Sequence, residues 1–281
     1  MFFSATLTVS LLTQTATAWE PRIVNGQIVT WNKKSIGFEI NADEAPNLTE
    51  VEVIDAITTA SEEWSGDLHG GNTEFQYDGT SKKIGADLSD EVHLVSFDTS
   101  WNQDPSLLAV THVWSNANNE IVHFDIEINA DDVYWSTTGD PNKHDLHNTM
   151  THEFGHALGL EHSDETQASM SSTTSVGELS KRDVHDDDIQ GFLSLYPFQE
   201  GDGNDGSEPN SATEDNNNSS SGGGSGVDNA IIPSAGGGGG SAGPVSLEKA
   251  GCSSQSTSSP LSSNLVWMIA LLAITLRRNR L

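Results

Sequence analysis

Apolar and polar positions change period several times along the chain, and each change predicts an element. From Ile23 to Ile40, Ile28, Val29 and Trp31 and then Ile36, Phe38 and Ile40 alternate with other residues, as in the first strand of a sheet. Asn47-Leu48-Thr49-Glu50 leads into a helix. Val51, Ile54, Ile57, Thr58 and Trp64 fall on one side of it at helical spacing, with the acidic residues Glu50, Glu52, Asp55, Glu62 and Glu63 mostly on the other. Short strands are expected near Phe75–Tyr77 and over Val92–Phe97. Leu107–Trp114 and Ile121–Ile128, joined by the turn-rich 115–119, predict an antiparallel hairpin. Asp145–Leu158 has a helical stripe of Leu146, Met150, Phe154, Ala157 and Leu158, which Gly159 ends as a left-handed cap. A last helix is expected over Asp183–Tyr196. Ile189, Phe192, Leu193 and Tyr196 form its stripe, and Asp186, Asp187 and Asp188 suit the positive end of its dipole. The order of elements is α+β: a mixed, twisted sheet with two functionally placed helices.

After Phe198 this patterning stops. Residues 199–250 are mostly Gly, Ser, Asn and Asp, including the run Gly236–Gly240, and their composition reads as a flexible linker. Beyond Gly251-Cys252 comes an apolar run, Leu265–Leu276, followed by Arg277-Arg278-Asn279-Arg280. The run is shorter than the roughly 20 residues of an ordinary membrane span. The arginines suit a cytoplasmic flank, which would leave the rest of the chain outside. At the other end, Met1–Ala18 is apolar and closes on Ala16-Thr17-Ala18, the pattern of a signal-peptide cleavage site, although no Lys or Arg precedes Arg22.

Charge removes one class of partner. The 281 residues carry 41 acidic against 12 basic side chains, a net charge of −29. Phosphate binding needs clustered Lys and Arg, so no nucleic-acid partner is expected. The single cysteine, Cys252, excludes an intrachain disulfide.

The chemistry concentrates in His152-Glu153-Phe154-Gly155-His156-Ala157-Leu158-Gly159-Leu160-Glu161-His162. Residues four apart share a helix face, so His152 and His156 can chelate one ion, and on a helical wheel they lie off the apolar stripe. Gly159 lets the chain reverse and bring back His162 as a third ligand. Three nitrogens and one open position form the ligand set of catalytic zinc. Glu153 stands beside the first ligand, placed to take a proton from a zinc-bound water and pass it to a leaving amine. On β-strand alternation His123, Asp125 and Glu127 share one face. Two readings stand for them: a solvated strand face, or a cation site for zinc or calcium.

These residues carry a family resemblance. His152 through Ser163 resembles the zinc signature of the metzincins, and Ser163 after the last histidine resembles the matrixins, the matrix-metalloprotease-like branch. Ala168-Ser169-Met170 lies where that family has its methionine turn, which implies that Met170 is a floor beneath the ligands. Glu63-Trp64-Ser65, His123-Phe124-Asp125, Asp187-Asp188-Ile189-Gln190-Gly191 and Leu195-Tyr196 are similar to matrixin segments too, so the likeness spans about Trp31 to Phe198. It implies a zincin fold and a zinc-dependent endopeptidase acting on proteins or peptides, a monomer with one catalytic zinc. The likeness has limits. His112 and His123 are similar to two of the four residues that hold the family's structural zinc, but Trp101-Asn102-Gln103-Asp104 replaces the His-x-Asp loop that helps hold it, and no cysteine precedes the domain to keep it latent. The ending resembles a bacterial sorting tail of the MYXO-CTERM kind, which implies attachment to a membrane or cell surface, or release after processing at the tail. The expected organisation is a signal peptide (1–18), a short leader (19–30), a catalytic domain (31–198), a linker (199–250) and a membrane or sorting tail (251–281). The competing expectation is a surface protein that keeps zinc without catalysis.

Overall fold

The computed structural model describes residues 18–131, 133–198 and 246–254. Most of the expected signal peptide, most of the linker and the apolar tail lie outside them. Among the described residues no helix is long and apolar enough to cross a membrane.

Five strands from the first half of the chain form the sheet: β1 (Ser35–Asn41), β2 (Glu74–Thr80), β3 (Leu94–Asp98), β4 (Ala109–Ser115) and β5 (Ile121–Asn129). A sixth strand, β6 (Ser246–Ala250), comes from far along the chain. The order is β6-β4-β5-β3-β1-β2. β1, β2, β3 and β5 run parallel, β4 is antiparallel to β5, and β6 is antiparallel to β4. β4 is thus the edge of the five-stranded sheet, and β6 is laid onto that edge.

The stretch expected as the first strand, Ile23–Ile40, is broken into a small hairpin and β1. Ile23–Val24 and Gln27–Ile28 pair antiparallel across Asn25-Gly26, whose φ angles of 52° and 79° make the tight hairpin turn that Asn-Gly favours. The hairpin 107–128 forms as expected, over β4 and β5.

Helix α1 (Glu50–Glu62) starts at a capping box in which Thr49 accepts from the Glu52 amide and Glu52 accepts from the Thr49 amide. Its buried face is Val53, Ala56, Ile57 and Ala60, continued by Trp64, while Val51 is 75% exposed. The periodicity therefore gave the helix correctly but misplaced its face. Alanines carry much of the contact with the next helix because they let two backbones come close, and a count of large apolar residues overlooks them.

Helix α2 (Leu146–Ala157) is capped by Asp145, which accepts from the Asn148 amide at 3.0 Å and pairs with Arg182. It ends in a Schellman motif: Gly159 has φ +90°, its N–H reaches the His156 carbonyl, and the Leu160 N–H reaches the Gly155 carbonyl. Trp31 and Trp64 donate their indole N–H groups to the Ala157 and Thr151 carbonyls, each at 2.8 Å. Phe154 packs against Phe38 and Phe75 with ring centroids 5.1 and 4.7 Å apart, locking α2 onto the sheet.

Helix α3 (Asp186–Leu195) closes the domain. Tyr196, just after it, donates its hydroxyl to the Leu158 carbonyl at 2.6 Å and accepts from the Trp31 amide at 3.1 Å. The end of α2, the N-terminal segment and the end of α3 thus meet at one phenol.

Candidate active site

Two turns of α2 and the reversal at Gly159 bring His152, His156 and His162 together, with one ligand atom of each lying within 4.8 Å of the others. Among the described residues this is the grouping of donors that could hold a metal ion. His152 and His156 lie off the apolar stripe, as the wheel requires, yet both are fully buried. Their contacts are with one another, with His162 and with backbone carbonyls.

The ring nitrogens show what the cluster needs. His152 Nδ1 lies 2.7 Å from the Ser169 carbonyl and His156 Nδ1 lies 2.8 Å from the Leu160 carbonyl. A carbonyl only accepts, so each Nδ1 carries a proton and each Nε2 carries a lone pair. The two Nε2 atoms face each other at 3.1 Å. Burial, then the neighbouring imidazole, holds both rings well below the usual histidine pKa, so neither is protonated to relieve the contact. Burial lowers the His162 pKa as well, while the backbone of Gly251 pulls it up. His162 Nε2 is buried and has no hydrogen-bond partner of good geometry among the described residues. Neutral nitrogen lone pairs converging in a dry pocket are repulsive until a cation sits among them. The 3.1 Å separation is close to the roughly 3.4 Å between ligands of a tetrahedral zinc with 2.0–2.1 Å bonds. The residues present fit zinc.

Glu153 is fully buried beside this cluster. Its Oε2 accepts from the Thr111 hydroxyl at 2.6 Å, and its Oε1 accepts from the backbone N–H of Cys252 at 3.0 Å. Burial pushes its carboxyl up to about 7, against the pull of these hydrogen bonds. A carboxylate balanced near neutrality can both take and give a proton at physiological pH.

Met170 is buried under α2, against Gly155. A β-carbon on Gly155 would collide with the Met170 sulfur and with Trp64, so only glycine there lets the methionine pack this closely on α2. The turn is fixed from α3. Asp188, fully buried, accepts from the amides of Ser169 at 2.6 Å, Met170 at 3.2 Å and His185 at 3.3 Å. Its neighbour Asp187 accepts from the Ser163 hydroxyl and from the Ala18 amide. The acidic first turn therefore does more than answer the helix dipole, because two of its three carboxylates tie down the loop that runs from His162 to Met170. The opposite wall of the cleft, Thr173–Thr174, is held by buried Lys181, whose ammonium donates to the Ser171 and Thr173 carbonyls, and by Asn148, which donates to the Thr174 hydroxyl at 3.1 Å.

Thr111, Asn148 and Lys181 were not singled out from the sequence, and Asp188 was read there only as part of an acidic first turn and of a family-like segment. Asn148 stands one turn before His152 on the same helix, and that spacing could have flagged it. The others depend on strand register and loop path. The remaining candidates form pairs. His112 Nε2 is 2.6 Å from a Glu127 oxygen, and His123 Nε2 is 3.1 Å from an Asp125 oxygen. Both Asp125 oxygens also accept backbone amides, from Asp87 and Leu94. The strand face bearing them is not solvated: His112, His123 and Asp125 are buried, and His93 lies against His123.

A buried glutamate between two helical histidines, a third histidine past a glycine turn and a methionine floor together define a metzincin-type zinc hydrolase. The family model described as Matrixin, of the M10 peptidases, matches residues 30–197, and the chain belongs to that family. It is a zinc metalloendopeptidase with a catalytic zinc, acting on proteins or peptides.

Proposed function

We propose that hydrolysis uses Glu153 as general base and then as general acid, with His152, His156 and His162 holding the zinc. One observation carries the reading: the carboxyl of Glu153, the residue after the first ligand on the helix, is pushed up to about 7 by burial and accepts from a peptide N–H, that of Cys252, at 3.0 Å. Zinc, when bound there, polarises a peptide carbonyl and lowers the pKa of water towards ~7. Glu153 takes the proton of the attacking water and delivers it to the leaving nitrogen. Thr111 holds the carboxylate by its other oxygen, so the proton moves without the side chain swinging. The Asp188–Ser169 contact fixes the His152 ring through the Ser169 carbonyl, leaving its Nε2 lone pair free to hold a zinc ion when one binds.

We also read the chain as exported and held at a cell surface. Support comes from the sequence alone: the Ala16-Thr17-Ala18 ending and the apolar, arginine-closed tail.

The mechanism is tested by Glu153→Ala in zinc-loaded protein, assayed on a quenched peptide library. The expected loss in kcat/KM is at least about a thousandfold, with zinc still bound at one ion per chain. Hydrolysis at the unsubstituted rate would remove Glu153 from the mechanism.

A further inference from the structure

Composition places residues 246–250 inside a linker and Cys252 at the head of a tail, yet both lie on the active site. We propose that residues 246–254 act as a self-inhibitory strand, occupying the cleft that a substrate peptide must enter. This rests on the endopeptidase reading above and adds its regulation.

The strand is held on both sides. Along β6, Ser246 to Ala250 pair in register with Ser115 to Thr111, antiparallel to the sheet edge. Ser253 and Ser254 then pair parallel with Thr173 and Thr174 on the opposite wall. Between the two ladders the chain crosses the catalytic groups. The Cys252 N–H donates to Glu153, the Cys252 carbonyl accepts from the Leu108 amide at 2.9 Å, and Gly251 lies beside His162. Cys252 is fully buried.

An exposed strand edge captures an extended peptide through main-chain hydrogen bonds, with little regard to side chains. Here β4 has captured its own chain. A substrate peptide needs the same edge, and its scissile nitrogen needs the Glu153 oxygen that Cys252 now occupies, so the two are mutually exclusive. The segment is tied to the domain through residues 199–245, and competition from the same chain acts at a high effective concentration, on the order of millimolar. Gly251 shows how closely the strand sits. A β-carbon there would collide with the Ala109 carbonyl oxygen and crowd Val110.

That collision supplies the test. In the full-length, zinc-loaded protein, Gly251→Val should displace the strand and leave the catalytic groups intact. Cys252, the only cysteine in the chain, reports docking independently of activity through its rate of reaction with a maleimide. The expected result is that Gly251→Val labels at least about tenfold faster than the unsubstituted chain and cleaves a quenched peptide at least about tenfold faster. A second form carries a foreign protease site between Gly223 and Gly224. Cutting there and diluting should raise both rates, and adding back a synthetic 246–254 peptide should suppress hydrolysis. Equal labelling of Cys252 in all forms overturns the docked strand. Faster labelling with peptide cleavage fixed at the unsubstituted rate overturns inhibition. Faster labelling with no hydrolysis by any form supports the docked strand and counts against the mechanism assigned to Glu153.

Discussion

Replacing Glu153 by glutamine in the metal-stripped protein isolates the cost of burying this carboxylate. The ordinary glutamic pKa is 4.5, and in the folded protein burial raises it to about 7. The folded state therefore holds the proton more tightly than the unfolded state. The associated stability is fully present below about pH 4.5 and is lost as pH rises through 7, where the folded protein must carry a buried anion. The full loss is roughly 3 kcal/mol, since each pKa unit corresponds to about 1.4 kcal/mol. Over a practical range, pH 5.5 to 8, linkage gives a change of about 2 kcal/mol. Glutamine keeps the shape, its oxygen still accepts from the Cys252 amide, and the Thr111 hydroxyl can turn to accept from its NH2 group. The histidines titrate in both proteins and cancel in the difference. Thermal unfolding of chelated wild type and E153Q across this range should show the variant gaining about 4 to 8 °C on the wild type between pH 5.5 and 8. Adding zinc should shrink the trend, because a cation beside the carboxylate stabilises its charged form. A difference that stays level within about 1 °C across the range would show that Glu153 is not held near neutrality by burial, and the acid–base argument would lose its basis.

Two further substitutions probe the supports of the site. Asp188→Asn removes the charge that accepts two amides of the methionine turn and the His185 amide at the start of its own helix, and should cost about 2 to 3 kcal/mol in unfolding experiments. It should also weaken zinc retention tenfold or more in a competition with a chelator, and unchanged zinc affinity would separate the turn from the ligands. Tyr196→Phe strands the Leu158 carbonyl and the Trp31 amide, with an expected cost of about 1 to 3 kcal/mol by chemical denaturation. A loss under 0.5 kcal/mol would mean that this phenol does not tie the three segments together.

The sequence by itself determined the chemistry of the ligand helix. His152, Glu153 and His156 are local in the chain, so helical spacing alone sets their relation, and Gly159 encodes the reversal that returns His162. The same locality made the β4–β5 hairpin and the glycine-capped end of α2 legible, because caps and tight turns depend on residues a few positions apart. Tertiary structure decided what depends on contacts between distant residues. Which face of α1 is buried depended on alanines meeting another helix. The acidic first turn of α3 became a clamp only once Asp188 met Ser169 and Met170. Thr111 reaches Glu153 through strand register, which no local pattern encodes. The largest difference concerns residues 246–254. Their composition marks them as linker and tail. Strand addition uses the backbone, however, and every residue but proline carries the same N–H and C=O groups. An unpaired sheet edge at the catalytic groups could therefore recruit a stretch that hydrophobic patterning had no means of detecting.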